Sequence, residues 1–279
     1  MLNLPRQPIR GLTICVGSST KNSGTMIDLN EIREWNRWDG IFARDHRVHI
    51  HPSPPLIDAV ATKDRILDTI CEFVRDTPPY TTGVIVYFGH GVLVRSNRED
   101  RFLDHYLLAG DSDVDDTNSL ISEADLKKAI YQSMKKDARI VVVVDACRLI
   151  RTDRTDSAQA FVHTDDSWKE RQFMSAIAES AREFSIAESG VSPEVTKPSI
   201  LVVSSCSDKQ YAFSLQIGTH EHESVFGHYY QHVTTIPSEH QPLSFDEVIN
   251  KVAMHIQRHG RNQTPFVNNV ELAKKWEAA

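Results

Sequence analysis

At 279 residues, 40% hydrophobic and 25% charged, the chain can build one large globular core without covalent staples. Its net charge of -7 gives no general attraction to nucleic acid or an anionic membrane, and no stretch approaches the ~18 apolar residues of a spanning helix. Nucleic acid and membrane are thus excluded as expected partners. The four cysteines, at 15, 71, 147 and 206, lack the paired short spacing of a zinc site. Nothing at the N-terminus has the basic-then-apolar form of a secretion signal. A reducing, cytoplasmic setting is expected, with no metal and no cofactor, and the Asn262-Gln263-Thr264 sequon reads as incidental because glycosylation requires a secretory route.

Leu12 to Val16 reads as the first strand, with Gly17-Ser18-Ser19 as its exit loop. Residues 28–38 have helical periodicity with Ile32 and Trp35 inward, and residues 46–51 read as a short strand before a proline-rich turn at 52–55. Residues 64–74 form an amphipathic helical pattern through Ile66, Leu67, Ile70, Cys71 and Val74, closed by Pro78-Pro79. A continuous apolar run, Gly83 to Phe88, then leads into Gly89-His90-Gly91. Residues 123–134 read as the next helix, with Leu126, Ala129, Ile130 and Met134 on one face. It feeds a second apolar run, Ile140 to Val144, which leads into Asp145-Ala146-Cys147-Arg148. After a long polar segment, residues 199–203 read as another buried strand and residues 245–259 as a late helix through Val248, Val252 and Ile256. Strands alternating with helices of this length predict an α/β three-layer sandwich, a mostly parallel central sheet with helices on both faces, in a single domain over 1–279.

In such sheets the carboxyl ends of the strands open onto the ligand crevice, so His90 and Cys147 are expected side by side at one rim. A thiol becomes a strong nucleophile when a neighbouring base raises its thiolate fraction. Cys147 is therefore the candidate to attack a scissile carbonyl, and His90 to take the thiol proton or to protonate the leaving amine. Gly91, lacking a side chain, lets a substrate approach the backbone, and its N–H together with that of Cys147 is the candidate oxyanion hole. Singly, a His at a strand end or a Cys after four valines is more often structural. Their joint order, with flanking glycines, points to hydrolysis of an acyl bond. Cys15 and Cys71 read as small hydrophobes on a strand and a helix face.

The motif Asp145-Ala146-Cys147-Arg148-Leu149, 57 positions after His90, together with Tyr87-Phe88-Gly89-His90-Gly91, resembles the caspase-like cysteine peptidases, closer to the metacaspase and bacterial branch. Three further segments are similar to that family: residues 61–66 to the start of the helix before the His strand, 106–111 to the strand and acidic turn after it, and 204–210 with Ser224-Val225-Phe226 to its small subunit. The resemblance covers roughly residues 10–260. It implies a caspase-like fold with a large-subunit-like part over about 10–150, a linker segment over about 149–197 and a small-subunit-like part over about 198–279. It also implies a Cys-His dyad and a protein or peptide substrate. Animal caspases bind a substrate Asp with arginines, one of them at the end of the first strand, where this chain has Gly17-Ser18-Ser19-Thr20. Metacaspase-like enzymes use carboxylates to bind Arg or Lys, and Asp145 takes one such position; a guanidinium pairs bidentately with a carboxylate. The alternative for Asp145 is a residue that orients loop backbone. Ser205, Cys206 and Asp208 are further candidate substrate contacts, with a purely structural role open for Cys206.

The acidic run 111–116 begins like an EF-hand loop, but Asp116 stands where glycine is needed and Ser122 where glutamate is needed, so it reads as a solvated turn in which Asp111 positions a groove loop. Residues 149–197 are too long for an ordinary connection and carry Arg151, Arg154, Lys169, Arg171 and Arg182, with helical periodicity over 168–186. They read either as an activation linker that is cut, making the chain a zymogen, or as an exposed insertion. The expected function is a caspase-like endopeptidase cleaving after Arg or Lys in a microbial stress, cell-death or defence role. An activating partner protein or ligand is allowed. The alternatives are an inactive interaction protein on the same fold, or a hydrolase of small amides or acyl compounds using the same dyad.

Overall fold

The computed structural model describes residues 8–16, 31–44, 48–52, 55–95, 103–113, 116–135, 137–146, 149–150, 199–206, 212, 214–217, 221–235, 245–261 and 263–267. In chain order the elements are β1 (Ile9–Cys15), α1 (Glu31–Ala43), β2 (Val48–Ile50), β3 (Leu56–Ile57), α2 (Lys63–Asp76), β4 (Thr82–Gly89), β5 (Gly91–Arg95), β6 (Leu103–Leu107) and β7 (Ile121–Ser122). There follow α3 (Glu123–Ser133), β8 (Arg139–Ala146), β9 (Leu149–Ile150), β10 (Ser199–Ser204), β11 (Ser214–Ile217), β12 (Glu221–Ser224), α4 (Val225–Thr235), α5 (Phe245–Arg258) and β13 (Phe266–Val267).

The main sheet has the order β13-β10-β8-β4-β1-β2, with β3 sharing the outer edge of β1. All its pairings are parallel except that of β13 with β10. Period-two alternation divides each central strand between two cores. Val84 and Val86 of β4, Val141 and Val143 of β8 and Leu201 and Val203 of β10 pack with α1, α4 and α5. Ile85, Tyr87, Ile140, Val142 and Val144 pack with α2 and α3. Burial on both faces explains why these strands read as unbroken apolar runs, and the expected three-layer α/β sandwich is what the chain adopts. No helix among the described residues is long and apolar enough to cross a membrane.

Two differences from the sequence expectation bear on the site. Helix α1 runs to Ala43, and its inward face is Glu34, Trp38, Ile41 and Phe42, whereas Trp35 is half-buried and the Ile32 side chain lies outside the described residues. Apolar periodicity marks Ile32 and Trp35, yet the stripe that reaches the sheet includes a carboxylate. A second sheet, β7-β6-β5-β9, grows from the ends of β4 and β8, and of its strands the sequence marks only the one within 106–111.

The acidic turn is tied to helix ends. Asp111 Oδ1 accepts from the Lys63 N–H at the start of α2 (2.9 Å), and Asp116 Oδ1 accepts from the Asn118 N–H (3.0 Å). Lys63 Nζ reaches the Leu120 carbonyl (2.6 Å) and Asp125 (3.1 Å), the acid of a capping box with Ser122 that starts α3. Gly110 closes this turn by donating to the Ala61 carbonyl at 2.8 Å, and a Cβ at Gly110 would sit 1.9 Å from the Asp58 carbonyl oxygen. Gly110→Ala is therefore expected to cost about 3 kcal/mol or more, lowering the melting temperature by roughly 6–12 °C in a thermal melt. A melt within a degree or so of wild type would show that the turn yields freely.

Candidate active site

Strands β4 and β8 run in parallel register from Thr82 opposite Arg139 to Gly89 opposite Ala146. The next residues in sequence are His90 and Cys147. His90 is described and half-buried, one residue beyond β4; Cys147 lies outside the described residues, as do Arg148 and Asp208. Pairing resumes immediately afterwards, with β5 and β9 parallel and Val92 opposite Leu149. The partners are 57 positions apart on both sides of the interruption.

The His90 backbone is held from the α2–α3 side of the sheet. Its carbonyl accepts from the Tyr87 hydroxyl (3.0 Å) and from the Leu108 N–H (3.1 Å), and the same hydroxyl reaches the Leu108 carbonyl at 2.6 Å. Tyr87 is buried, so it works as an internal strut between the strand end and the 108–110 segment. Gly89 is required for closeness: a Cβ there would lie 2.7 Å from the Val16 carbonyl oxygen, a backbone atom that cannot swing aside. Gly91 opens β5 opposite Leu107 and is buried.

Asp145 is 2% exposed. The alternation that sends Val141 and Val143 toward α1 and α4 carries Asp145 to the same side, under a cluster of charged side chains. There Arg37 donates to Glu34 Oε1 at 2.5 Å and, through its other arm, to Glu223 Oε2. Glu34 Oε1 also accepts the Ser224 N–H (2.8 Å), and the Ser224 hydroxyl donates to Asp145 Oδ2. His228 Nδ1 lies 2.8 Å from Glu223 Oε1. Glu34 Oε2 is buried without a hydrogen-bond partner among the described residues. Three carboxyl groups therefore surround one guanidinium, with a single histidine at the solvent edge. Burial pushes Asp145 up to about 6, opposed by the hydrogen bond from Ser224. Burial likewise pushes Glu34 up to about 7, opposed by Arg37 and reinforced by Asp145 and Glu223.

Ser205 and Cys206 are both fully buried. Ser205 donates its N–H to the Val144 carbonyl (2.9 Å), and its own carbonyl accepts from Gln263 Nε2 (2.9 Å). Among the described residues its hydroxyl makes no hydrogen bond of ordinary geometry, although it lies close enough to Asp145 to favour the anion. Cys206 Sγ donates to the Ala146 carbonyl at 3.2 Å. Both residues thus brace the end of β8. Sequence reasoning did not single out Glu34, Arg37 or Glu223. The available signal was a Glu and an Arg, three apart, on the helical face that also carries Trp38 and Ile41.

The raised acids set the sign of a pH dependence. Between their ordinary range near 4 and their folded values of about 6 and about 7, the folded chain keeps protons that the unfolded chain has released. This contribution to stability is complete below pH ~4 and is lost as pH rises through 7. Glu34, moved from 4.5 to about 7, accounts for on the order of 3 kcal/mol of it. Urea unfolding at pH 5 and pH 8 is expected to show Glu34→Gln losing less stability than wild type on going to pH 8. Equal losses in the two proteins would mean that Glu34 does not titrate in this window.

The metacaspase, peptidase C14 domain model matches residues 10–151, from β1 past the end of β8. No curated protein matches the sequence. In fold the chain is similar to the crystal structure of protein GSU0716 from Geobacter sulfurreducens, with a TM-score of 0.56 at 17% identity over 92% of each chain. The domain match spans more than half of the sequence and contains both strand ends of the candidate site, and on that footing the chain belongs to the metacaspase family of caspase-like cysteine peptidases.

Proposed function

We propose that the chain is an endopeptidase in which Cys147 and His90 form the catalytic dyad and which cleaves after Arg or Lys. The observation that carries the reading is the shared register: Gly89 opposes Ala146 before the interruption and Val92 opposes Leu149 after it, with one offset. Adjacent strands are ~4.8 Å apart, a spacing at which an imidazole and a thiol on neighbouring strand ends reach each other. In the proposed reaction the Cys147 proton passes to His90, the thiolate attacks the carbonyl carbon, and His90 returns the proton to the departing amine. Water then hydrolyses the acyl-enzyme. The N–H groups of Gly91 and Cys147 would hold the oxyanion.

The preference for a basic residue is supported by the charge imbalance around Asp145. Glu34, Asp145 and Glu223 outnumber Arg37, and a substrate guanidinium or ammonium would relieve the excess that proton uptake otherwise relieves. Asp208 is proposed as a second acid of the same pocket, and Ser205 and Cys206 as supports of its wall. As part of the same reading, the large-subunit-like part (10–150) and small-subunit-like part (198–279) form one domain joined by a linker that the enzyme cuts in itself.

Fluorogenic peptides with Arg, Lys or Asp at the cleavage position test the dyad and the specificity together. Wild type is expected to cleave the Arg and Lys peptides, and Cys147→Ala and His90→Ala each to lose roughly a thousand-fold or more of that activity while melting like wild type. Cleavage of the Asp peptide alone would overturn the specificity, and an active Cys147→Ala protein would overturn the nucleophile. Folded wild type inert to every peptide would leave the fold as an interaction module or a small-acyl hydrolase. Mass spectrometry of active wild type is expected to find cuts after basic residues between 151 and 197 that Cys147→Ala lacks; a fully active intact chain would show an ordinary insertion.

A further inference from the structure

Ser224 is the last residue of β12 and stands immediately before α4. Its hydroxyl oxygen accepts the Gly227 N–H at 2.8 Å, the bond of a serine N-cap. With that lone pair engaged, the single hydroxyl proton is directed at Asp145 Oδ2. Its backbone N–H is held by Glu34 Oε1, Glu34 is held by Arg37, and Arg37 reaches Glu223, the residue before Ser224. These contacts close a ring through α1 and β12 that fixes the serine in place. The ring delivers one hydrogen bond to the residue two positions before Cys147.

We propose that Ser224 is a positioning residue of the peptidase: its hydroxyl, aimed by the start of α4 and by the Glu34–Arg37–Glu223 ring, orients the Asp145 carboxylate that receives the basic substrate side chain. The inference rests on the reading of Asp145 as the anionic floor of the pocket. A hydrogen bond donated to a buried carboxylate favours its charged form, so removing the hydroxyl leaves Asp145 protonated at higher pH. The other ionisable groups facing Asp145 or its ring are Glu34 and Arg37 from α1, Glu223 from β12 and His228 from α4, with His90 at the end of the neighbouring strand. None of them is altered in the test.

The test compares kcat/KM against pH for the Arg peptide in wild type, Ser224→Ala and Ser224→Thr, alongside the rate at which iodoacetamide, a small uncharged alkylator, inactivates each protein. Ser224→Ala is expected to move the acid limb of the Arg-peptide profile up by about one pH unit, with roughly fivefold lower kcat/KM at pH 6, carried mainly by KM. Inactivation by iodoacetamide should stay within about twofold, and Ser224→Thr, which keeps a hydroxyl, should restore the wild-type limb. A merely structural serine would depress both readouts or neither, without moving the limb, and that result overturns the proposal. Should Ser224→Ala fail to fold, Ser224→Gly deletes the same hydroxyl at a helix-cap position, where glycine is well tolerated, and it is read by the same criteria. Asp145→Asn separates the two layers of the argument. An unshifted Ser224→Ala beside a crippled Asp145→Asn removes the positioning role alone, whereas an Asp145→Asn protein that cleaves the Arg peptide like wild type removes the anionic floor and the positioning role with it.

Discussion

Everything at the candidate site depends on one backbone interaction, the parallel ladder between β4 and β8. It runs the full length of both strands with both faces buried, so a slip of one residue would turn each valine row toward the wrong helix layer. The penalty for such a slip locks the register. A locked register sets residues 57 positions apart in sequence side by side as far as Gly89 and Ala146. The second sheet continues the same offset through β5 and β9, so the interruption at the rim is bounded on both sides by fixed pairing. Tyr87 and the close approach of Gly89 to Val16 hold the histidine end from below.

The neighbouring charge cluster is unfavourable for the fold taken alone. Burying Glu34, Arg37, Asp145 and Glu223 forfeits hydration that the ion pairs only partly replace, and one carboxylate oxygen has no donor among the described residues. The raised acids report that cost. In exchange, the cluster joins helix α1, near the N-terminus, to β12 and α4, far beyond the long segment at 151–198, and both to the end of β8. Such a cluster is, within the proposed reading, a fixed electrostatic field whose geometry is set before any substrate arrives. Within the proposed reading, excess negative charge held in a dry site discriminates for a cationic side chain more strongly than the same charges in water would.

Much of the fold was legible because the signals were local and strong. The apolar runs at 83–88 and 140–144, short, β-branched and bounded by turn residues, are of the kind a parallel sheet buries on both faces, and the helices at 63–76, 123–133 and 245–258 announced themselves through their period. The short strands β5, β7, β9, β11, β12 and β13 carried no such signal, because two to five residues define no period and their pairing partners are distant in sequence. Helix α1 misled for a different reason. Its buried face includes Glu34 and Arg37, and a periodicity argument treats charged residues as marks of the exposed side.

The sequence by itself determined that His90 and Cys147 each follow a buried strand, that glycines flank the histidine, and that an aspartate stands two positions before the cysteine. Those are properties of contiguous segments, set by side-chain periodicity and backbone freedom. Only the tertiary structure decided what surrounds Asp145. Its partners come from residues 34, 37, 223 and 224, which no local pattern links, and they meet because the sheet order and the packing of α1 against α4 bring one face of each into the same layer. The charge state of that aspartate depends on burial and on a hydrogen bond from a serine 79 positions away. Desolvation and pairing belong to the assembled interior, and a linear reading carries neither.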